Sequence, residues 1–231
     1  MVYRKKTYKR KKRVVRRKAR VCRSPKHIYG AHKSWTATSS SMRFQPATGG
    51  QGDSTRLWVT RATDIASGTL YNDRTTNTVW LNNIQIHWNM RNAHTTCRYL
   101  RIVALTTANS RTHGDIANWT DLMTTGNFAT DVGPTGLAED MVYRINRNYY
   151  KPLWDKTVQL PGTNNGEVNS KNYKFNIPIK KFVTYDYDAN TARQNPIWVL
   201  AFASESEGLS GSTVNVYTTY RFTVHFKDVL K

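Results

Sequence analysis

The sequence has few cysteines, no long hydrophobic run and, before Asp53, no acidic residue at all. Two cysteines, Cys22 and Cys97, are too few for a disulfide framework or a four-cysteine zinc site, so we expect a reducing compartment. The longest apolar run, 196–203, is too short to cross a membrane. The basic N-terminus lacks the apolar core of a secretory signal. We therefore expect neither secretion through a cleaved signal nor membrane insertion.

Motifs of catalysis and cofactor binding are also missing. The chain contains no G-x-S-x-G elbow, no phosphate-binding loop and no dinucleotide-binding glycine motif. His87, His94 and Cys97 lie close together in the sequence, but a zinc site would need a fourth ligand, and His87 falls on the polar side of a strand pattern. The acid clusters at 139–140 and 186–188 are typical of solvated loops. We expect no enzymatic activity, no cofactor and no metal.

Charge is the strongest compositional signal in this sequence. The chain has 35 Lys and Arg against 15 Asp and Glu, a net charge of +20. Sixteen of the positive charges precede Asp53, which leaves 19 basic and 15 acidic residues, a net charge of +4, for the rest. This asymmetry predicts a nearly neutral domain with a cationic arm, and it points to a polyanionic partner, nucleic acid first.

Residues 1–33 form the predicted arm. A run of like charges with few large aliphatic residues cannot bury enough surface to fold alone, so we expect it to be disordered without its partner. Its cations would bind phosphates without regard to sequence and with a steep dependence on salt, and stretches of this kind also resemble nuclear import signals. The candidate nucleic-acid-binding residues are Arg4, Lys5, Lys6, Lys9, Arg10, Lys11, Lys12, Arg13, Arg16, Arg17, Lys18, Arg20, Arg23 and Lys26.

The segment 34–52 follows the arm and is rich in Ser, Thr and Gly. This composition predicts a flexible linker, and the folded body is then 53–231. Trp35, Met42 and Phe44 within the segment are large enough to pack against that body. The predicted organisation is therefore an arm, a linker and one domain.

The body alternates apolar and polar residues with period two, which predicts half-buried β-strands. The eight predicted strands are 55–65, 84–90, 99–105, 141–149, 155–160, 173–179, 197–202 and 214–226, with one short helix at 115–123. No alternation of strands with helices appears, so an antiparallel sandwich or barrel is favoured over a parallel sheet. Eight strands with long loops suit an all-β, eight-stranded jelly roll, while an immunoglobulin-like sandwich or a closed barrel stays open.

Several segments resemble the capsid proteins of small circular single-stranded DNA viruses. The Tyr-punctuated basic opening, 1–13, is similar to the start of circovirus capsid proteins, and 220–229 is similar to their final strand. Between them, 147–158, 175–181 and 198–203 resemble the order of segments in such coat proteins, including those of geminiviruses. The resemblance covers the arm and roughly the last 85 residues of the chain.

This resemblance implies a jelly-roll subunit that assembles with copies of itself into a small icosahedral shell of 60 copies with T=1 symmetry. It also implies packaging of a circular single-stranded DNA genome by the arm, residence in the virion and in the host nucleus during assembly, and contacts with nuclear import factors and a cell-surface receptor. Two alternatives stay open, a cellular nucleic-acid-binding β-barrel with a basic tail and the coat protein of a small satellite RNA virus.

Overall fold

A computed structural model describes most of the body of the chain. The described residues are 32–44, 54–55, 57–92, 97–107, 119, 121–125, 131–134, 138–163, 169–187, 189–205 and 216–229. Within these ranges no helix is long and apolar enough to cross a membrane.

The described residues form thirteen β-strands and a single turn of 3-10 helix at Ala138–Met141. The strands are β1 (His32–Phe44), β2 (Ser54–Thr55), β3 (Leu57–Arg61), β4 (Thr78–Asn92), β5 (Arg98–Thr107), β6 (Met123–Thr124), β7 (Asp131–Val132), β8 (Arg144–Ile145), β9 (Tyr150–Leu160), β10 (Asn169–Tyr185), β11 (Ala192–Gln194), β12 (Ile197–Glu205) and β13 (Val216–Asp228).

Two sheets carry the eight longer strands, which pair antiparallel within each sheet. The six-stranded sheet has the order β11-β10-β4-β13-β1-β2, and the four-stranded sheet has the order β3-β12-β5-β9. Counted along the chain, the first, third, sixth and eighth long strands lie in one sheet, and the second, fourth, fifth and seventh lie in the other. This exchange between sheets is the double Greek key of a jelly roll, so the predicted fold class is confirmed. The described pairings leave the two sheets separate, so the fold is an open sandwich rather than a closed barrel.

The main core lies between the two sheets. Alternate residues of β4, namely Ile84, Ile86, Trp88 and Met90, point inward and are buried. The indole of Trp58 from the facing sheet meets the Trp88 ring edge-on, with centroids 5.2 Å apart. The period-two pattern of the sequence therefore corresponds to one face of each strand buried in this layer.

A second core cluster covers the other side of the four-stranded sheet. Leu105 and Phe202 belong to it, together with Trp119, whose ring stacks on Tyr150 at 5.5 Å and meets Trp198 edge-on at 5.6 Å. The four-stranded sheet is thus buried on both faces, which explains why its central strands are apolar on both sides. The six-stranded sheet has one face in the main core and a second, outer face.

The predicted linker is wrong over 34–44, and the predicted disordered arm is wrong over 32–33, because these residues belong to β1. This strand pairs with β13 from His32 to Phe44, and the Trp35 ring meets Phe222 edge-on at 6.0 Å. Its many Ser and Thr residues suggested a linker, but they are paired with β13 in a strand near the edge of the sheet. Residues 1–31 of the predicted arm and 45–52 of the predicted linker lie outside the described residues.

The predicted strand over 141–149 is also wrong. It contains the end of the 3-10 turn, the two-residue β8 and a turn, so β1 takes its place as the eighth long strand. The predicted helix at 115–123 ends in a turn and β6 instead, and 115–118 and 120 lie outside the described residues. Residues 138–149 are held by contacts with the four-stranded sheet.

Arg101 makes the most extensive of these contacts. Its guanidinium donates to both carboxylate oxygens of Asp155, at 3.0 and 2.6 Å. It also donates to the backbone carbonyls of Asp140 and Tyr143, at 2.7 and 2.6 Å. Because the Arg101 side chain is 6% exposed, few water molecules could replace these partners.

We predict that Arg101→Met lowers the free energy of unfolding by about 3 kcal/mol, because it leaves one carboxylate and two carbonyls without their donor. Urea-induced unfolding of dissociated subunits measures the effect. The matched control, Lys151→Met, removes an exposed cation from the neighbouring β9 and should change stability by about 0.5 kcal/mol or less. A loss below about 1 kcal/mol for Arg101→Met would contradict the structural role of this arginine.

Candidate nucleic-acid interface

The fourteen predicted arm residues, Arg4 to Lys26, lie outside the described residues, so their role stays a prediction. The structure describes the point where the arm joins the body, at His32 in β1. β2 pairs with β1 only at Arg43 and Phe44, far from that end. Among the described residues, β13 is therefore the strand that pairs with β1 at the end next to the arm.

An ion pair anchors this end of β1. Lys33 Nζ lies 2.8 Å from Asp228 Oδ2 and donates to the carbonyl of Asp73 at 2.7 Å. Thr75 donates to the same carboxylate from its backbone nitrogen at 3.1 Å and from its hydroxyl at 2.8 Å. Burial raises the pKa of Asp228, but the hydrogen bonds from Lys33 and Thr75 and the charge of Lys33 outweigh burial and leave this pKa below its ordinary value.

The four long strands of the six-stranded sheet, β1, β4, β10 and β13, are strongly cationic. They contain one acid, Asp228, and nine Lys and Arg residues, two from β1, one from β4, four from β10 and two from β13. The nine are Lys33, Arg43, Arg91, Lys171, Lys174, Lys180, Lys181, Arg221 and Lys227. Asp228 is occupied by Lys33, so the acids of these strands offer no partner to the other eight.

Three basic side chains lie side by side on the outer face of this sheet. Arg221 of β13 is in register with His87 of β4, and His87 is in register with Lys174 of β10. All three are exposed, and we call them the basic row. Directly opposite residues on neighbouring antiparallel strands have Cβ atoms about 5 Å apart, so the three side chains of the row are near neighbours across β13, β4 and β10.

Uncharged polar residues flank the basic row on both sides. One flanking row contains Asn89 and Asn172, with Asn89 Nδ2 donating to Asn172 Oδ1 at 2.7 Å. On the other side, Asn83 Nδ2 donates to Asn176 Oδ1 at 2.6 Å. An amide has two donors and two acceptor sites, so these pairs leave the Asn172 and Asn176 amide hydrogens to donate outward.

A groove of about 530 Å³ crosses the outer face at the basic row. It contacts all four long strands and is lined by the basic row, by Asn89, Asn172, Thr38 and Thr219, and by parts of Trp88, Tyr173 and Tyr220. The arrangement offers cations and hydrogen-bond donors on a rigid sheet and, among its exposed residues, no carboxylate. It is suited to an anionic ligand with several charges.

A second cavity, of about 610 Å³, lies on the other side of the sandwich beside β8 and β9. Arg144 and Arg147 line it, but so do Asp155 and its partner Arg101. A carboxylate in the lining opposes an anion, and Arg101 is already fully engaged. The groove on the six-stranded sheet is therefore the stronger candidate for binding a polyanion.

The exposed position of His87 agrees with the surface histidine expected from the strand pattern. His94 lies outside the described residues, so the structure does not describe the sequence cluster of His87, His94 and Cys97. In the part of the chain that the structure describes, no group of three or more His, Cys, Asp and Glu side chains could hold a metal ion.

The grouping of Arg221, His87 and Lys174 into one row was not predicted from sequence. The available signal was the lack of acids in the four long strands together with cations at polar positions of the alternation. Strand register, which brings Arg221, His87 and Lys174 together from distant parts of the chain, is set by tertiary pairing, so the sequence pattern does not identify the row.

Comparisons with known proteins found no matching family model and no matching curated protein. Two solved structures are similar in outline. One, of Desmodium yellow mottle tymovirus, is 10% identical with a TM-score of 0.34 and covers 87% of this chain and 88% of that chain. The other, of the T13 IBDV viral particle, is 11% identical with a TM-score of 0.30 and covers 87% of this chain and 36% of that chain. At these TM-scores the strand order, not the similarity, defines the fold as a jelly roll.

We predict that stability depends on the ionised form of Asp228. Because its pKa is lowered on folding, the stabilisation is present above the ordinary value of 3.8 and is lost as pH falls through the lower value of the folded chain. At neutral pH, Asp228→Asn should lower the free energy of unfolding by about 2 kcal/mol, and it should flatten the acid limb of the profile.

Urea-induced unfolding between pH 2 and 7 measures this dependence. The control is Asp186→Asn, which breaks an exposed ion pair with Arg193 and should cost about 0.5 kcal/mol or less. If Asp228→Asn and the wild type lost stability equally on acidification, the proposed contribution of Asp228 would be wrong.

Proposed function

We propose that this chain is a viral capsid protein that assembles into a small icosahedral shell and packages circular single-stranded DNA through its basic arm. The observation that carries the proposal is the combination of a jelly-roll body with an arm of fourteen cations and no acid, joined directly to the first strand. The jelly roll serves as the rigid unit of the shell, and the arm reaches the genome.

Exposed hydrophobic residues in two neighbouring loops support self-association. Leu70 and Tyr71 are 71% and 68% exposed, and Tyr187 is 83% exposed. A hydrogen bond from the Ser67 backbone nitrogen to Asn190 Oδ1 brings the two loops to the same end of the sandwich. Exposed aromatic and aliphatic residues of this kind are typical of contact surfaces between proteins. In the proposed shell, they would contact neighbouring copies.

The number of charges supports a small genome as the cargo. With fourteen arm cations per chain and about 60 copies per shell, the arms would carry about 840 positive charges, enough for a polynucleotide on the order of a thousand phosphates. The proposed locations are the virion and, during assembly, the host nucleus, which the arm would reach through import factors. We propose no enzymatic activity for the chain.

A cellular nucleic-acid-binding β-barrel is the second candidate function. Proteins of that class bind single strands by stacking bases on exposed aromatic rings of one sheet. Two aromatic side chains of the long strands of the six-stranded sheet, Tyr217 and Phe182, are exposed, but they lie at the Arg91 and Trp80 registers, away from the basic row and from each other. The sandwich is also open, so the described residues favour the capsid proposal. An RNA genome would be bound through the same phosphate groups. The nuclease test below distinguishes an RNA genome from a DNA genome.

We predict that the arm cations are required for packaging. Replacing the fourteen arm cations with Gln in the full-length protein should reduce nuclease-protected nucleic acid at least tenfold without unfolding the body. The protected nucleic acid is measured by the ratio of absorbance at 260 and 280 nm and by its sensitivity to DNase or RNase.

The matched control is an arm with the same residues in scrambled order, which should still package because backbone neutralisation does not depend on sequence. Undiminished packaging by the Gln variant would contradict the role of the arm. Protected RNA in place of DNA would support the RNA alternative and overturn the DNA assignment.

A further inference from the structure

We infer that the basic row on the outer face of the six-stranded sheet is a second binding site for the genome, one that holds the phosphate backbone of a single strand on the folded body. The inference rests on the proposed function and adds to it. The arm would supply long-range neutralisation, whereas the basic row would hold a short stretch of the strand at a defined place on each subunit.

The first argument is the unbalanced charge of the basic row. Arg221, His87 and Lys174 occupy facing positions on three adjacent strands, and no acid of the four long strands lies on the outer face to separate them. Arg221 and Lys174 carry like charges on either side of β4 and repel each other, with no carboxylate of these strands between them. An anionic ligand lying across the row would offset that repulsion. Binding an anion is therefore electrostatically favourable for this part of the sheet.

The second argument is the shape of the groove. Adjacent strands are about 4.8 Å apart, so Arg221 and Lys174, on either side of β4, stand about 10 Å apart with His87 between them. The groove crosses the strands in this direction and reaches Thr38 of β1. A chain of phosphates lying in it would therefore meet successive donors from β1, β13, β4 and β10.

The third argument is the polarity of the surrounding surface. The flanking rows present Asn, Thr and Gln side chains, which donate to phosphate and sugar oxygens and to base edges. Among the described residues of the outer face near the row, none is a large exposed aliphatic side chain. The backbone phosphates of a nucleic acid match these cations and hydrogen-bond donors. An acidic protein surface is the alternative ligand, and the test below distinguishes the two.

The test compares two full-length double variants of matched charge. Arg221→Gln/Lys174→Gln removes two cations from the basic row, and Arg147→Gln/Lys151→Gln removes one Arg and one Lys that are exposed elsewhere. Binding of a fluorescent oligodeoxythymidylate is measured over a series of KCl concentrations, with the oligomeric state of every sample checked by light scattering. The same titration with an oligouridylate separates DNA from RNA.

We expect the basic-row variant to lower the slope of log affinity against log salt by about 1.4, the value for two lost phosphate contacts to a single strand, and the control variant to leave it unchanged. Equal slopes for the basic-row variant and the wild type would overturn the inference, as would an equal decrease in both variants. If the basic-row variant kept its nucleic-acid binding but no longer bound an acidic peptide that the wild type binds, the row would be assigned to a protein partner instead.

Failure of this inference is distinguishable from failure of the proposed function. If the wild type neither assembles nor binds nucleic acid, the proposed function is wrong. If the arm variant loses binding and the basic-row variant does not, only the second site is wrong. Thermal unfolding monitors folding of each variant, and the single variant Lys174→Gln, with an expected slope change of about 0.7, serves if the double variant does not fold.

Discussion

Burial of one face of the six-stranded sheet against the four-stranded sheet is the constraint on which the rest of the structure depends. Because side chains alternate along a strand, placing Ile84, Ile86 and Trp88 in the core requires Gln85, His87 and Asn89 to lie on the outer face. The same rule applies to β10 and β13. The register that fills the core therefore also aligns Arg221, His87 and Lys174 in one row.

The two sheets differ in whether their outer face is covered by other parts of the chain. The four-stranded sheet is covered by the segment that Arg101 holds in place, so that side is closed by protein. The six-stranded sheet has an uncovered outer face, and its four long strands carry nine Lys and Arg residues and one acid, which is paired. In the proposed shell the uncovered, cationic face lies toward the genome, and the loops with Tyr71 and Tyr187 lie toward neighbouring subunits.

The strand content and the all-β class were predictable from sequence because period-two alternation is a local signal, whereas the strand order that distinguishes a jelly roll from other sandwiches is set by tertiary pairing. β1 was missed because its Ser and Thr residues resemble a linker, and only pairing with β13 makes them a strand. The strand predicted over 141–149 is wrong because most of these residues lie in turns, and the carbonyl of Tyr143 accepts a hydrogen bond from Arg101. The charge of the arm is visible in the sequence, whereas the basic row exists only through register between residues far apart in the chain.

The most direct test of this account is cryo-electron microscopy of the purified full-length protein after nuclease treatment. We predict uniform closed shells that contain nucleic acid, with the six-stranded sheet facing inward and density against the basic row. A stable monomer or dimer that binds DNA but forms no shell at any concentration or salt tested would contradict the capsid proposal and favour a cellular nucleic-acid-binding protein.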